Sequence, residues 1–338
     1  MTPNGAWRGR RVVVLGGAGF IGSNLALRLA ALGANVTVVD GLVPGCAGHP
    51  ANLAGGDAPI PLARVDLATE PVPVSVLEAE VVFDLMGDPA HARSIRDPQG
   101  DLRNNLVAQV ALLEALRGAA VRPLVVLVST RSVYGRPERL PVDEAHPIAP
   151  PDPNGIHKFA AEQYATLYGR LYDLPIVRLR LTNAYGPRQG NQDPAHGVTG
   201  FVLGRLLRGE PVRLFGGGTF RRDWLMVDDA VEALLAAGAA RETTGQVINI
   251  GHDHPASLRE FVTIARDRLG RGELVDVPMP PEQRVIDVGD YWTNPRLAEQ
   301  LLGWRATTRL EDGLARTLDF YTGTPSGARW PPSSPFST

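Results

Sequence analysis

Continuous apolar, β-branched runs recur along this chain, separated by stretches whose apolar residues fall at helical spacing. The first run, Val12-Val13-Val14-Leu15, strikes a glycine-rich turn, and the Ala- and Leu-rich segment from Ser23 to Leu32 reads as a helix. Asn35 to Val39 is a second strand and ends at Asp40; Ile60 to Val65 is a short third one and ends at Asp66-Leu67. Val81 to Gly87 and Pro123 to Val128 follow as buried strands. Between them, Asn104 to Arg117 carries Leu106, Val110, Leu113 and Leu116 on one helical face. A further helix runs to about Tyr172, with Tyr164, Tyr168 and Tyr172 recurring every four residues as a packing stripe, and Ile176 to Leu181 is a sixth strand. Strands that are apolar throughout and alternate with helices predict a doubly wound α/β fold, a parallel sheet covered on both faces. Ligands then collect at the carboxyl ends of the strands, here Gly16, Asp40, Asp66, Leu85 and Thr130.

The alternation loosens from Gln189. A Gly/Asn/Asp loop, a helix from about Val198 to Arg208, a strand at Val212 to Phe215 and the triplet Gly216-Gly217-Gly218 suggest a smaller second lobe. Residues 10–188 are therefore expected to form the parallel-sheet domain, rejoined by a strand near 245–251. Residues 189–321 would form mainly the second lobe, and the Pro-, Ser- and Gly-rich residues 322–338 a disordered tail.

Composition narrows the partners. Thirty-four Lys and Arg against 36 Asp and Glu, net −2 over 338 residues, suggest neither a nucleic-acid polymer nor an anionic membrane as partner. One cysteine, Cys46, forms no internal disulfide and fits a reducing cytoplasm. No apolar run approaches the ~18–20 residues of a membrane span. The basic start, Met1 to Arg11, leads into a strand and glycine turn rather than a signal-peptide core.

The glycine turn carries the first chemical signal. Gly16, Gly19 and Gly22 are spaced G-x-x-G-x-x-G around Phe20 and Ile21. A side chain at the first or second glycine would hold a pyrophosphate away from the helix N-terminus, where free N–H groups and the macrodipole favour an anion. The third lets helix and strand pack closely. Asp40, 18 residues past Gly22, is placed to accept hydrogen bonds from an adenosine ribose and to repel a 2′-phosphate, which favours NAD over NADP.

Taken in order, these motifs resemble the extended short-chain dehydrogenase/reductase family, in its nucleotide-sugar epimerase and dehydratase branch. Beyond the glycines, Asp40 and Asp66-Leu67, the resemblance rests on Asn105 before a Leu-Leu-Glu-Ala helix and on Ser129-Thr130-x-x-Val133-Tyr134-Gly135. It continues through Lys158-x-x-Ala-Glu, Arg180-Leu-Thr-Asn183-x-Tyr-Gly-Pro, Arg222-Asp-Trp and Leu302-Gly-Trp, and covers about residues 10–321. The resemblance implies that Gly16, Gly19, Phe20, Ile21 and Gly22 cradle the NAD pyrophosphate, with Leu85 beside the cofactor. Asp40 would meet its ribose, Asp66 and Leu67 its adenine, and Lys158 the nicotinamide ribose. Asn183, Arg222 and Arg284 would grip the diphosphate of a nucleoside-diphosphate sugar, a task suited to the planar fork of arginine. It implies no metal, and by family analogy a homodimer joined through the helices ending at Arg117 and Tyr172.

One position departs from the family. Its members take the sugar hydroxyl proton on a tyrosine four residues before the lysine, but Asn154 stands there, and an amide has no useful acid–base capacity near neutral pH. Three readings compete. Another group takes the proton: His157 if its ring turns inward, or Tyr185 or His91 from other loops. Alternatively Lys158 and Thr130 suffice with water, or the site binds without turnover. Arg131 and Ser132 occupy the places of the acidic pair used in 4,6-dehydration, and the glutamate of decarboxylating relatives is absent as well. Epimerisation at C4, which needs neither, is the favoured reaction. Arg131 would then be free to bind a carboxylate at C6 of a uronic acid.

Overall fold

The computed structural model describes residues 5–280, 287–324 and 327–331. Its centre is a seven-stranded parallel sheet. In chain order the strands begin with β1 (Arg11–Leu15), β2 (Asn35–Asp40), β3 (Leu62–Arg64), β4 (Val81–Asp84), β5 (Leu124–Thr130) and β6 (Ile176–Leu181). The short β7 (Ala184–Tyr185), β8 (Val212–Phe215), β9 (Arg221–Arg222) and β10 (Leu225–Met226) follow, then β11 (Val247–Ile250), β12 (Ala256–Ser257) and β13 (Leu274–Val277). The large sheet runs β11-β6-β5-β4-β1-β2-β3, so its order reverses between β1 and β4, where a ligand crevice opens.

Alternate residues of each strand feed opposite faces, as the two-residue period of a strand requires. Val12, Val14, Val38, Val81, Phe83 and Val126 pack under α1 (Phe20–Ala31) and later helices. Val13, Leu15, Val39, Val82, Val125 and Leu127 pack on the other face. That second face is covered in part by α2 (Val74–Leu77). Beyond it, α3 (His91–Arg96) and α4 (Pro98–Leu102) run into a single π-helical turn, Arg103–Val107, and then α5 (Ala108–Arg117). The long α6 (Pro153–Tyr172) completes that layer.

In the smaller lobe, α7 (Val198–Leu207) packs against β8, and β8 pairs with β13 in a two-stranded parallel sheet. The chain then returns through α8 (Val227–Ala239), whose Ala233, Leu234 and Ala237 join the core beneath the large sheet, and through β11, parallel to β6. Helices α9 (Leu258–Leu269), α10 (Arg296–Leu302) and α11 (Leu310–Gly323) finish the lobe. Gly238 on α8 is a close-approach position: a Cβ there would meet the Phe83 ring at 2.5 Å.

Two expectations are corrected. The helix expected from Asn104 begins earlier, at Pro98, and is widened by the π turn, which sets Asn105 inward and buried. The tail is not disordered throughout. α11 extends to Gly323, and Trp330 is 6% exposed, meets Phe320 edge to face and donates its indole N–H to Asn52 Oδ1 at 2.8 Å. One large ring with a satisfied N–H anchors a segment whose average composition is polar. Residues 325–326 and 332–338 lie outside the described residues.

Candidate active site

A cleft of about 840 Å³ runs along the carboxyl ends of the large sheet. Gly16 has φ +68, and a Cβ there would lie 2.6 Å from the Leu85 carbonyl oxygen. At Gly22 a Cβ would come within 2.4 Å of the Gly16 carbonyl oxygen. The turn therefore closes on itself only without side chains. Gly19 is the N-cap of α1, with no side chain capping the helix and no acidic residue in its first turn, so the terminal N–H groups face the cleft uncompensated. Asp40 accepts from the backbone N–H groups of Ala18, at 3.0 Å, and Leu42, at 2.9 Å. Burial nonetheless raises its pKa, and its oxygens keep further lone pairs for a ribose. This cradle fits NAD: a bare helix start for a diphosphate, with a carboxylate one strand away.

At the middle of the cleft, Lys158 on α6 donates to the Met86 carbonyl oxygen at 2.7 Å. Burial lowers the Lys158 pKa, while Asp84, Asp101 and Asp88 support its charge. Gly87 (φ +133) makes room, since a Cβ would meet Lys158 Nζ at 2.6 Å and Asn105 Oδ1 more closely still. Thr130 ends β5 and accepts from the Ser132 N–H at 3.1 Å.

The far wall is cationic. Arg131 Nε donates to Asn183 Oδ1 at 3.2 Å, and its guanidinium lies 4.8 Å over the Tyr291 ring. Arg222 on β9 lies 3.4 Å from Asp287, and burial together with repulsion from Arg131 lowers its pKa to about 10. Two such arginines beside one cleft are electrostatically relieved by a diphosphate.

Residues 12–251 match the NAD dependent epimerase/dehydratase family. The chain belongs to this family. It is 35% identical to a UDP-glucose 4-epimerase of Mycolicibacterium smegmatis, over 92% of this chain and 98% of that one. A crystal structure of UDP-glucose 4-epimerase from Thermotoga maritima, solved with UDP-glucose, superposes with a TM-score of 0.83 at 30% identity, covering 92% and 98% of the two chains. MoeE5 in complex with UDP-glucuronic acid and NAD gives a TM-score of 0.80 at 30% identity, covering 92% and 99%.

Among the described positions expected to serve the site of this epimerase/dehydratase fold, all but two line the cleft: the three glycines, Phe20, Ile21, Asp40, Asp66, Leu67, Leu85, His91, Thr130, Arg131, Asn154, Lys158, Asn183 and Arg222. The exceptions are Tyr185, which is fully buried, and His157. Its Nδ1 is held 2.6 Å from Asp101 Oδ1, in a buried knot behind the cleft wall. The other Asp101 oxygen accepts from Asn154, at 3.1 Å, and from Asn105, at 3.0 Å. The condition set for His157, a ring turned inward, is not met: a buried carboxylate on α4 anchors that ring away from the cleft. Asn154 itself is 2% exposed and donates to the Asp88 carbonyl oxygen at 2.6 Å. Arg284 lies outside the described residues.

Sequence reasoning missed several parts of the wall, including Gly87, Asp88 and Asp152. Asp152 had a visible cue, Asp-Pro at a helix start. It caps α6 by accepting from the Gly155 N–H at 2.9 Å.

Proposed function

We propose that this NAD-dependent nucleotide-sugar epimerase inverts C4 of a UDP-linked hexose or hexuronate. The observation that carries the reading is one cleft joining a bare dinucleotide cradle to the paired arginines Arg131 and Arg222. The relatives that bind or act on UDP sugars support the choice of nucleotide. NAD, when bound, accepts a hydride from the sugar carbon and returns it. The chain's own residues do the rest. Gly16, Gly19 and Gly22 admit the pyrophosphate, with Phe20, Ile21 and Leu85 along its path. Asp40 holds the adenosine ribose and Asp66-Leu67 the adenine side. Lys158 holds the nicotinamide ribose, and Thr130 donates to the sugar oxygen. Asn183 and Arg222 hold the diphosphate, and Arg131 reaches the C6 substituent. Arg131 and Ser132 supply no acid–base pair for elimination, which sets epimerisation above dehydration.

Residues 10–188 with the returning strand form the cofactor domain in this reading, and 189–321 mainly the substrate lobe. Ile156, Tyr164, Leu167 and Leu171 on α6 are exposed at 40–60% and give a second copy of the chain an apolar face to cover. A homodimer joined there is expected to sediment at twice the chain mass, and Leu167→Glu to dissociate it. Among the described residues no helix is long and apolar enough to cross a membrane. The single cysteine supports a reducing, cytoplasmic compartment.

The test is to incubate the NAD-loaded protein with UDP-glucose, UDP-galactose, UDP-glucuronate and UDP-N-acetylglucosamine and to separate the products. An isomer of equal mass from at least one sugar is expected. Product lighter by one water would replace this reading with dehydration, and binding of the sugars without any product would leave a non-catalytic module.

A further inference from the structure

The mechanism above leaves the sugar's hydroxyl proton without an acceptor. Asn154 is an amide locked to Asp88 and Asp101, and His157 is turned to Asp101 behind the wall. Tyr185 and Tyr291 are fully buried, and burial drives both phenols further from ionisation. Lys158 is engaged on the Met86 carbonyl. His196, which also reaches the cleft, turns its Nε2 to the Gly45 carbonyl oxygen at 3.4 Å, in the loop beyond β2.

His91 differs from all of these. It opens α3 on the cleft wall with a side chain 42% exposed, and its Nδ1 lies 2.8 Å from Oδ2 of Asp152, a carboxylate only 3% exposed. We infer that His91 and Asp152 form the proton-accepting dyad of this site, His91 Nε2 replacing the tyrosinate of the family. The inference rests on the epimerase reading above.

The geometry fixes which nitrogen is the base. An ionised carboxylate only accepts hydrogen bonds, so Nδ1 must carry the proton, and in the neutral ring the lone pair is then on Nε2. Asp152 stays ionised. Burial works against its charge, but the His91 contact and the Gly155 N–H outweigh it and hold its pKa below the usual carboxylate range. Among the described residues Nε2 has no protein partner, so it is available to the cleft.

The step balances. The C4–H bond breaks and its electron pair leaves as hydride to the nicotinamide. The O–H bond breaks, its proton forms an N–H bond at His91 Nε2, and C4=O forms. The imidazolium faces the Asp152 carboxylate, and returns the proton to the C4 oxygen when hydride returns to the opposite face of the keto sugar. An aspartate behind a histidine serves in this way in other proton-transfer sites, by orienting the ring and stabilising its charged form.

The decisive experiment compares the wild type with His91→Asn and Asp152→Asn. In the first, asparagine Nδ2 takes the place of Nδ1 and keeps the contact to Asp152 while removing the base. In the second, the helix cap survives and the charge is lost. His91→Asn is expected to lower kcat by about 10²–10⁴-fold, the range for loss of a general base. UDP-sugar affinity by calorimetry should stay within about threefold, and Asp152→Asn should lower kcat less. Ring ¹⁵N spectra of the wild type, with the His91 signal assigned by its loss in His91→Asn, should show Nδ1 protonated and Nε2 bare. Undiminished kcat in His91→Asn, or an Nε2–H tautomer, overturns the dyad and leaves the epimerase reading standing. A wild type that forms no epimer from any UDP sugar overturns both.

Discussion

Asn154 donates its side-chain amide to the Asp88 carbonyl oxygen at 2.6 Å, which ties α6 to the loop after β4. Its second contact, to Asp101, places it in the knot that also holds Asn105 and His157. A residue with this set of partners is a structural member of the wall. Asn154→Ala removes one of the two donors, the other being Asn105, from both the buried Asp88 carbonyl and the Asp101 carboxylate, and should cost about 1–3 kcal/mol of stability. Its kcat should fall less than about tenfold, far less than loss of a general base. Denaturant titration and steady-state rates on the same variant check both halves.

The glycine turn separates packing from ligand approach. Gly16→Ala forces a Cβ against the Leu85 carbonyl at positive φ, and should destabilise the fold by more than ~1 kcal/mol as well as releasing NAD. Gly19 has φ −74 and meets only the Gly16 carbonyl oxygen, at 3.1 Å. Gly19→Ala should therefore fold nearly as well as the wild type and still purify with much less bound NAD. Melting temperature and the absorbance ratio of the purified protein read the two effects separately.

These features were unequally legible in the sequence. The large sheet was plain because strands buried on both faces are apolar at every position, and Val12 to Leu15 or Leu124 to Leu127 fit nothing else as well. The cradle was plain for a related reason: glycine spacing and a strand-terminal acid are local. The proton-accepting wall was not local. His91 meets Asp152 across 61 residues and His157 meets Asp101 across 56, and no periodicity tells which of two histidines a buried carboxylate will turn toward the cleft. The π turn at Arg103–Val107 was equally hidden, because one extra residue in a turn barely disturbs the spacing of Leu106, Val110 and Leu113. Glu162, buried against Arg180 and the Ser129 hydroxyl, was readable only as a family motif and not as the charge pair that joins α6 to β5 and β6.

Asp223 gives the protein a pH signature. Burial raises its pKa from 3.8 to about 6, against the pull of Thr182, Thr293 and Arg131. The folded state therefore holds this proton where the unfolded chain has lost it. The associated stability is complete below pH 3.8 and disappears as pH rises through about 6, a shift worth roughly 3 kcal/mol. Asp223→Asn removes the titration. Relative to that variant, the wild type should lose stability between pH 4 and pH 7, and calorimetric melting of the pair at several pH values measures the difference. Parallel curves would contradict the assignment.

The two cleft arginines should divide the substrate between them. Arg222→Ala should raise KM for every UDP sugar by about 10–100-fold, the loss of a charge-assisted contact, with NAD retention unchanged. Arg131→Ala should penalise UDP-glucuronate more than UDP-glucose, because only the former presents a C6 carboxylate. Equal losses on the two sugars would remove Arg131 from C6 recognition. The comparison needs kcat/KM for both sugars on both variants.

The most direct test of the account follows the hydrogen at C4. UDP-glucose and UDP-glucuronate carrying deuterium at C4 would be incubated with the NAD-loaded protein in ordinary water, and the products separated and weighed. The account predicts a C4 epimer that keeps its deuterium, because the hydride leaves and returns within one closed site. An epimer that has lost the label, a product lighter by one water, or no product from either sugar would contradict it.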